Sequence, residues 1–245
     1  MAAVIEHKSG FKLCQESQMA VDALKSQGKP FVLAALSQLQ RDRVMTDTAP
    51  LVVGTLDFVK AALRQRKLPM PEENCYPEAL SHLLHRFVWQ STLYEVIQEV
   101  VKGTPLFAKP SKRTKRFTGM VVRDGFDWRL DRIPRNEPVW CSEVCEWKSE
   151  WRYYVVCHQI QGKALYHGDG AHGVDEQVVQ EAVALMAARP GTPISYAIDF
   201  GVLASGKTAL VEVNDGFSIG AYDGVDPKVY LALLETRWHQ LTTTV

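Results

Sequence analysis

Two carboxylates and an amide stand where a hairpin brings them together. Residues 194–215 read ISYAIDFGVLASGKTALVEVND, two alternating apolar runs around Ser205-Gly206. That pair suits a tight turn. With it at the centre, Ala204 faces Lys207 and, counting outward, Asp199 faces Glu212. Asn214 follows Glu212 on the same face. Directly opposed side chains have Cβ atoms ~4.5–5.5 Å apart. Two carboxylates so placed repel unless a cation lies between them. Magnesium answers this, because it takes hard oxygen ligands, usually one or two carboxylates together with substrate phosphates. Asp199, Glu212 and the Asn214 amide oxygen form such a set. The opposite face (Ile198, Phe200, Val202, Val211, Val213) is apolar and can anchor the hairpin. On this reading, removing one carboxylate leaves the metal-free protein as stable as before or slightly more so. A water-facing polar side of a sheet has the same pattern, with the repulsion screened, and a longer turn shifts the register.

A second group is basic. Residues 106–122, LFAKPSKRTKRFTGMVV, place Lys109 at the end of an apolar strand, then a loop, then Gly119 at the start of another strand. Lys109, Lys112, Arg113, Lys115 and Arg116 are crowded into it. Backbone amides beside a glycine approach phosphate oxygens closely, and lysines neutralise their charge. The order is not that of a P-loop. A single basic run without stacking aromatics is a poor nucleic-acid surface. A solvated turn would also carry such charges.

A third stretch, residues 140–156 (WCSEVCEWKSEWRYYVV), sets Glu143 among apolar strand positions. Glu150 and Arg152, two residues apart, face one side. They form a plain ion pair, or they address a ribose hydroxyl and a phosphate.

The elements around these groups alternate. Strands at 30–36 and 51–53 with helices at 17–26 and 56–64 predict small α/β crossover units and a parallel sheet. Apolar stripes over 76–101 predict a helix. Gly103-Thr104-Pro105 then marks a boundary. Strands follow at 106–108, 119–122, 139–144, 151–160 and 163–166. A helix at 175–188, strands at 194–202 and 208–213, and a helix from Pro227 complete the chain. The expected division is 1–104 and 105–245, the second part split into 105–165 and 166–245.

The bulk properties exclude several classes. Hydrophobic residues make up 46% and charged residues 23%, which argues against disorder. Lys+Arg and Asp+Glu are 28 each, so net charge calls for neither nucleic acid nor an anionic membrane as partner. No apolar run reaches the ~18 residues of a spanning helix. The beginning, MAAVIEHKSG, carries no signal core, and the expected location is cytoplasmic. Five cysteines without paired spacing read as reduced thiols.

Taken together, these residues resemble the ATP-grasp superfamily, closest to its clade named for two arginines and one lysine. The resemblance rests on Phe107-Ala108-Lys109-Pro110, Phe117-Thr118-Gly119, Ser142-Glu143-Val144-Cys145, Glu150-Trp151-Arg152, Asp199, Glu212-Val213-Asn214-Asp215-Gly216 and Gly220-Ala221-Tyr222, and it spans residue 105 to the C-terminus. It implies an ATP-grasp fold, two α+β subdomains sandwiching ATP, here preceded by a small α/β domain. It implies that Lys109 holds the α- and β-phosphates, with Lys115 chosen over Lys112 and Arg116 as the second basic position. Gly119 would shape the loop. Glu143, Val144 and Cys145 would meet the adenine, Glu150 the ribose, and Arg152 the transferred phosphate. Asp199, Glu212 and Asn214 would bind magnesium. The implied activity is ATP-dependent ligation of a small-molecule or peptide carboxylate to an amine through an acyl phosphate. A nucleotide-binding module without turnover is the alternative.

Overall fold

The computed structural model describes residues 1–111 and 116–243. The chain begins with β1 (Ala3–Glu6), which lies between β2 (Phe31–Ala34) and β3 (Val52–Val53) in a parallel sheet. Parallel neighbours require crossovers, and α1 (Gln15–Ser26) and the short α2 (Leu36–Gln40) lie in them. After β3, α3 (Leu56–Gln65) buries Leu56, Phe58, Val59, Ala62 and Leu63. The spacing marks these neighbours but not β1. All four β1 residues are buried, so no alternation reveals the strand.

Residues 76–101 are not one helix. They divide into a 3-10 helix (Glu78–Leu83), β4 (Val88–Thr92) and α4 (Leu93–Val101). His85, at φ 49°, interrupts the apparent periodicity. Thr92 starts α4 through a capping box: its hydroxyl accepts the Glu95 N–H, and the Glu95 carboxylate accepts the Thr92 N–H. β4 is the edge of an antiparallel sheet, order β4-β7-β5-β6, built with β5 (Leu106–Pro110), β6 (Met120–Val122) and β7 (Pro138–Glu143). Leu93, Val96, Ile97 and Val100 of α4 pack on Leu106, Ala108 and Val139 of that sheet. The boundary expected at 104 lies between α4 and β5, which share this core. Gly103-Thr104-Pro105 is the turn from α4 into β5.

A second antiparallel sheet, order β11-β10-β8-β9, is formed by β8 (Trp147–Val156), β9 (Gln159–Gly168), β10 (Tyr196–Leu203) and β11 (Thr208–Asp215). The strand expected over 151–160 turns back at Cys157 and His158, at φ 49° and 58°. A two-residue turn of this kind needs positive φ at both positions, which Asn and Gly normally supply. Neither occurs here, so the sequence carries no turn signal.

One face of this sheet, with Tyr153, Val155, Ile198, Phe200 and Leu210, packs against α5 (Glu176–Ala187). On the other face, Tyr154 and Ala197 share a core with the N-terminal layer and α6 (Pro227–Thr243). Further along that face lie Arg152, Asp199 and Glu212. Residues 144–146 belong to neither ladder and join the two antiparallel sheets.

Candidate active site

Asp199 does pair with Glu212 across β10 and β11, but by a different route from the expected one. The turn holds three residues. Leu203 N–H bonds Lys207 O, and Gly206 supplies the left-handed position at φ 86°. This moves the register by one residue, so Phe200 faces Leu210. A β-bulge at Val211 then moves it back. Val211 consequently leaves the apolar face assigned to it and lines the cleft beside Glu212. Leu210 takes its place in the core.

The two carboxylates do not face each other unneutralised. Asp199, 1% exposed, accepts two hydrogen bonds from Arg152, Nε to Oδ1 at 2.8 Å and Nη2 to Oδ2 at 2.6 Å. Glu212 is bonded by Lys109 Nζ. Burial pushes the Asp199 carboxyl up, against the pull of Arg152. For Glu212, burial works the same way, but Lys109 and the Asn214 amide outweigh it and hold the group below the usual range. Burial opposes the charge on Lys109 as well, and Glu212 overcomes it and raises the ammonium pKa. Lys109 is thus no free strand-end lysine: its side chain is 12% exposed and lies over the Tyr76 ring at 4.9 Å. Asn214 Nδ2 is 2.9 Å from Glu212 Oε1 and 3.4 Å from Asp199 Oδ2.

Glu150 and Arg152 make no ion pair with each other. Arg152 turns to Asp199 and to Gly220 O at 3.3 Å, with its guanidinium 4.9 Å from the Tyr222 ring. Glu150 accepts the Tyr166 hydroxyl at 2.9 Å and meets His167 Nδ1 at 3.2 Å. Tyr166 and Tyr222 stack at 4.9 Å and wall off this end of the site.

A cavity of ≈ 230 Å³ opens between the sheets. Phe107 lines it from β5, Glu143 from the end of β7, Val144 and Cys145 from the connector, and Glu150 and Glu212 from the second antiparallel sheet. Glu143 ends β7 exposed rather than among apolar neighbours, and its carboxylate accepts the Phe87 N–H at 2.9 Å. Gly119 packs flat: a Cβ there would stand 2.8 Å from the Phe107 ring and 3.2 Å from Lys109 Cβ. A side chain there would collide with Phe107 and Lys109 of β5. Lys115, like Lys112, lies outside the described residues.

Spacing does not reveal Tyr76 and Arg86, which also line the cavity. Both fall in the stretch whose stripes imitate a helix, so no local signal could have found them. Tyr76 packs edge-on against Trp140 at 5.0 Å, which places its ring beside Lys109.

Among the described residues no group of three or more His, Cys, Asp or Glu could hold a metal by itself. The donor set fits a different use. Two carboxylates and an amide, which offers its oxygen when turned over, suit an ion shared with phosphates rather than a closed cage. No described helix is long and apolar enough to cross a membrane.

No curated protein matches the chain. Among solved structures, it is similar to the RimK domain ATP-grasp protein of Sphaerobacter thermophilus DSM 20745, with TM-score 0.56 and 18% identity over 95% of this chain and 99% of that one. The D-cycloserine synthetase DcsG gives TM-score 0.63 and 11% identity over 96% and 99%. The macrocyclase MdnC of Microcystis aeruginosa MRC, bound with precursor peptide MdnA, gives 0.53 and 13% over 95% and 98%. At these identities the likeness concerns the fold. The ATP-grasp domain of family 2 in the clade named for two arginines and one lysine matches residues 83–233, more than half of the chain, and the chain belongs to that family.

Proposed function

We propose that this ATP-grasp ligase transfers the γ-phosphoryl group of ATP to a carboxylate and then joins the acyl group to an amine. The observation that carries this reading is the cluster of Lys109, Arg152, Asp199, Glu212 and Asn214 at the end of the cavity between the sheets. Phosphoryl transfer is mostly positioning and charge neutralisation, and this cluster provides both. The carboxylate oxygen attacks the γ-phosphorus and ADP leaves. The amine nitrogen then attacks the acyl carbon, phosphate leaves, and the nitrogen loses a proton. Asp199, Glu212 and Asn214 would hold magnesium, which when bound would supply counter-charge to the phosphates.

The chain's own groups do the rest. Val144 and Cys145 offer backbone groups outside any ladder to the base, and Glu150 offers its carboxylate to the ribose. Lys109 exchanges Glu212 for phosphate oxygens. Arg152, already oriented by Asp199, faces the transferred group. The structural neighbours include a macrocyclase bound with a precursor peptide and an ATP-grasp ligase complexed with a minimal precursor, which supports a peptide as one candidate carboxylate.

The test uses Mg-ATP alone and then with pooled amino acids, small carboxylates and peptides, with hydroxylamine added to trap acyl phosphate. At a hundredfold excess over Kd a ligand of the native state adds ~2.7 kcal/mol of stability. The expected result is a raised unfolding midpoint and carboxylate-dependent ADP and hydroxamate. An unchanged midpoint in millimolar Mg-ATP overturns the nucleotide reading. A raised midpoint without turnover on any pool favours a non-catalytic binding module.

A further inference from the structure

The register correction at Val211 decides where Glu212 points. Strand partners share a face, and a slip of one residue sends every side chain to the other side. Carried on without the bulge, the register set by the three-residue turn opposes Val211 to Asp199 and Glu212 to Ile198. Ile198 lies in the apolar core with Phe200 and Leu210. The carboxylate would then be aimed at α5 instead of the cleft.

A bulge leaves carbonyls outside the ladder, and buried carbonyls need donors. β11 is an edge strand, so no further strand supplies them. Arg86 does. Its Nη1 donates to Leu210 O at 2.7 Å and to Leu84 O at 3.1 Å, and its Nη2 donates to Val211 O at 2.9 Å. The Trp147 ring, 5.4 Å from Cζ, braces the guanidinium. The planar fork matches two successive carbonyls in a way a point charge does not.

We propose that Arg86 is a positioning residue: it holds the β11 bulge and thereby aims Glu212 into the nucleotide–metal site. The proposal rests on the reading of Glu212 as a magnesium ligand. Arg86 acts through Glu212 and needs no contact with nucleotide. It enters from the segment just before β4, so it also fastens the first sheet's edge strand to the second sheet's hairpin.

The experiment compares wild type, Arg86→Ala, Arg86→Lys, and Arg86→Ala combined with deletion of Val211. Deleting the bulged residue leaves the ladder regular and still puts Glu212 opposite Asp199, so the need for Arg86 disappears. The probe is AMPPNP, titrated calorimetrically with magnesium and with EDTA. Hydrogen exchange over 208–215 is followed in the nucleotide-free protein. Arg86→Ala is expected to lose about tenfold or more of the magnesium-dependent gain, the usual scale for groups that orient metal ligands. Its affinity in EDTA stays near wild type, and amides at 211–213 exchange faster. Arg86→Lys recovers part of the gain, and the deletion in the Arg86→Ala background recovers most of it.

A folded Arg86→Ala protein with wild-type gain and wild-type exchange overturns the proposal. So does an equal loss with and without magnesium that the deletion fails to repair, since Arg86 then touches nucleotide itself. If Arg86→Ala does not fold, the double variant decides: restored folding and magnesium-dependent binding support the proposal, and failure of both overturns it. If wild type shows no magnesium-dependent gain, the metal reading fails, and the exchange data still judge whether Arg86 holds the bulge.

Discussion

The site contains two ion pairs that are alike in composition and built differently. Arg152 and Asp199 sit opposite each other on adjacent strands of one sheet, at 7% and 1% side-chain exposure. Lys109 and Glu212 come from different sheets, at 12% and 23%. The first pair is bidentate and fixed by a ladder on both sides. The second spans the cleft, and any motion of one sheet against the other separates it. The contrast teaches that one pair is set within a single sheet, whereas the other depends on how two sheets sit against each other. In the proposed function a phosphate competes with Glu212 for Lys109, whereas magnesium at Asp199 would use the carboxylate lone pairs that Arg152 leaves free.

Cutting the first pair should have the largest effect. Asp199→Asn leaves a buried guanidinium without its counter-charge, and breaking a buried pair from one side costs about 3–5 kcal/mol. Urea denaturation without ligand measures this. A loss under about 1 kcal/mol, the range of an exposed pair, would erase the proposed difference between the pairs.

Cutting the second pair should act mainly on ligand. Lys109→Ala is expected to cost about 1 kcal/mol of stability, because Glu212 keeps Asn214 and access to water. The same change should weaken Mg-AMPPNP binding by about tenfold or more, since a phosphate loses its charge partner. The informative quantity is the ratio of the two effects. A variant that unfolds readily while its remaining folded fraction binds Mg-AMPPNP normally would make Lys109 a structural residue.

How much of this is legible in the sequence depends on whether the signal is local. Lys109, Asp199, Glu212 and Asn214 stand out because charged and amide groups interrupt apolar alternation, and the meeting of the last three follows from one hairpin. Even there, the pairing of Asp199 with Glu212 comes from two departures that offset each other, a longer turn and a bulge. Neither has a sequence marker strong enough to read: Ala204-Ser205-Gly206 suits two turn lengths, and Val211 looks like any core valine. β4 is hidden because the 3-10 helix and α4 together imitate one helical stripe. Arg86 takes its role from a strand more than a hundred residues away, and Tyr76 from a cavity whose lining reaches Glu212, so no window of spacing contains that information.

The smallest effect tests the sign of the electrostatics. Repulsion between bare carboxylates predicts that Glu212→Gln leaves the metal-free protein as stable or more so. The surroundings of Glu212 point the other way: burial disfavours the ionised form, and Lys109, Asn214 and Arg152 outweigh it. The Glu212 carboxyl is held below its ordinary 4.5. The folded protein therefore binds that proton more weakly than the unfolded chain. Its contribution is complete above pH ~4.5 and is lost as pH falls through the lower folded value. At pH 7 and without metal, Glu212→Gln should be less stable than wild type. The gap should close as pH drops below about 4.5, where wild type gains the proton that the amide lacks. Glu212 also raises the Asp199 carboxyl, so the difference between the two pH curves carries both groups. Lys109→Ala should shrink the gap, because the main counter-charge is gone. A Glu212→Gln protein that is more stable at pH 7, with an advantage that fades in acid, would restore repulsion as the stronger effect and make the cross-sheet pair a weak contact.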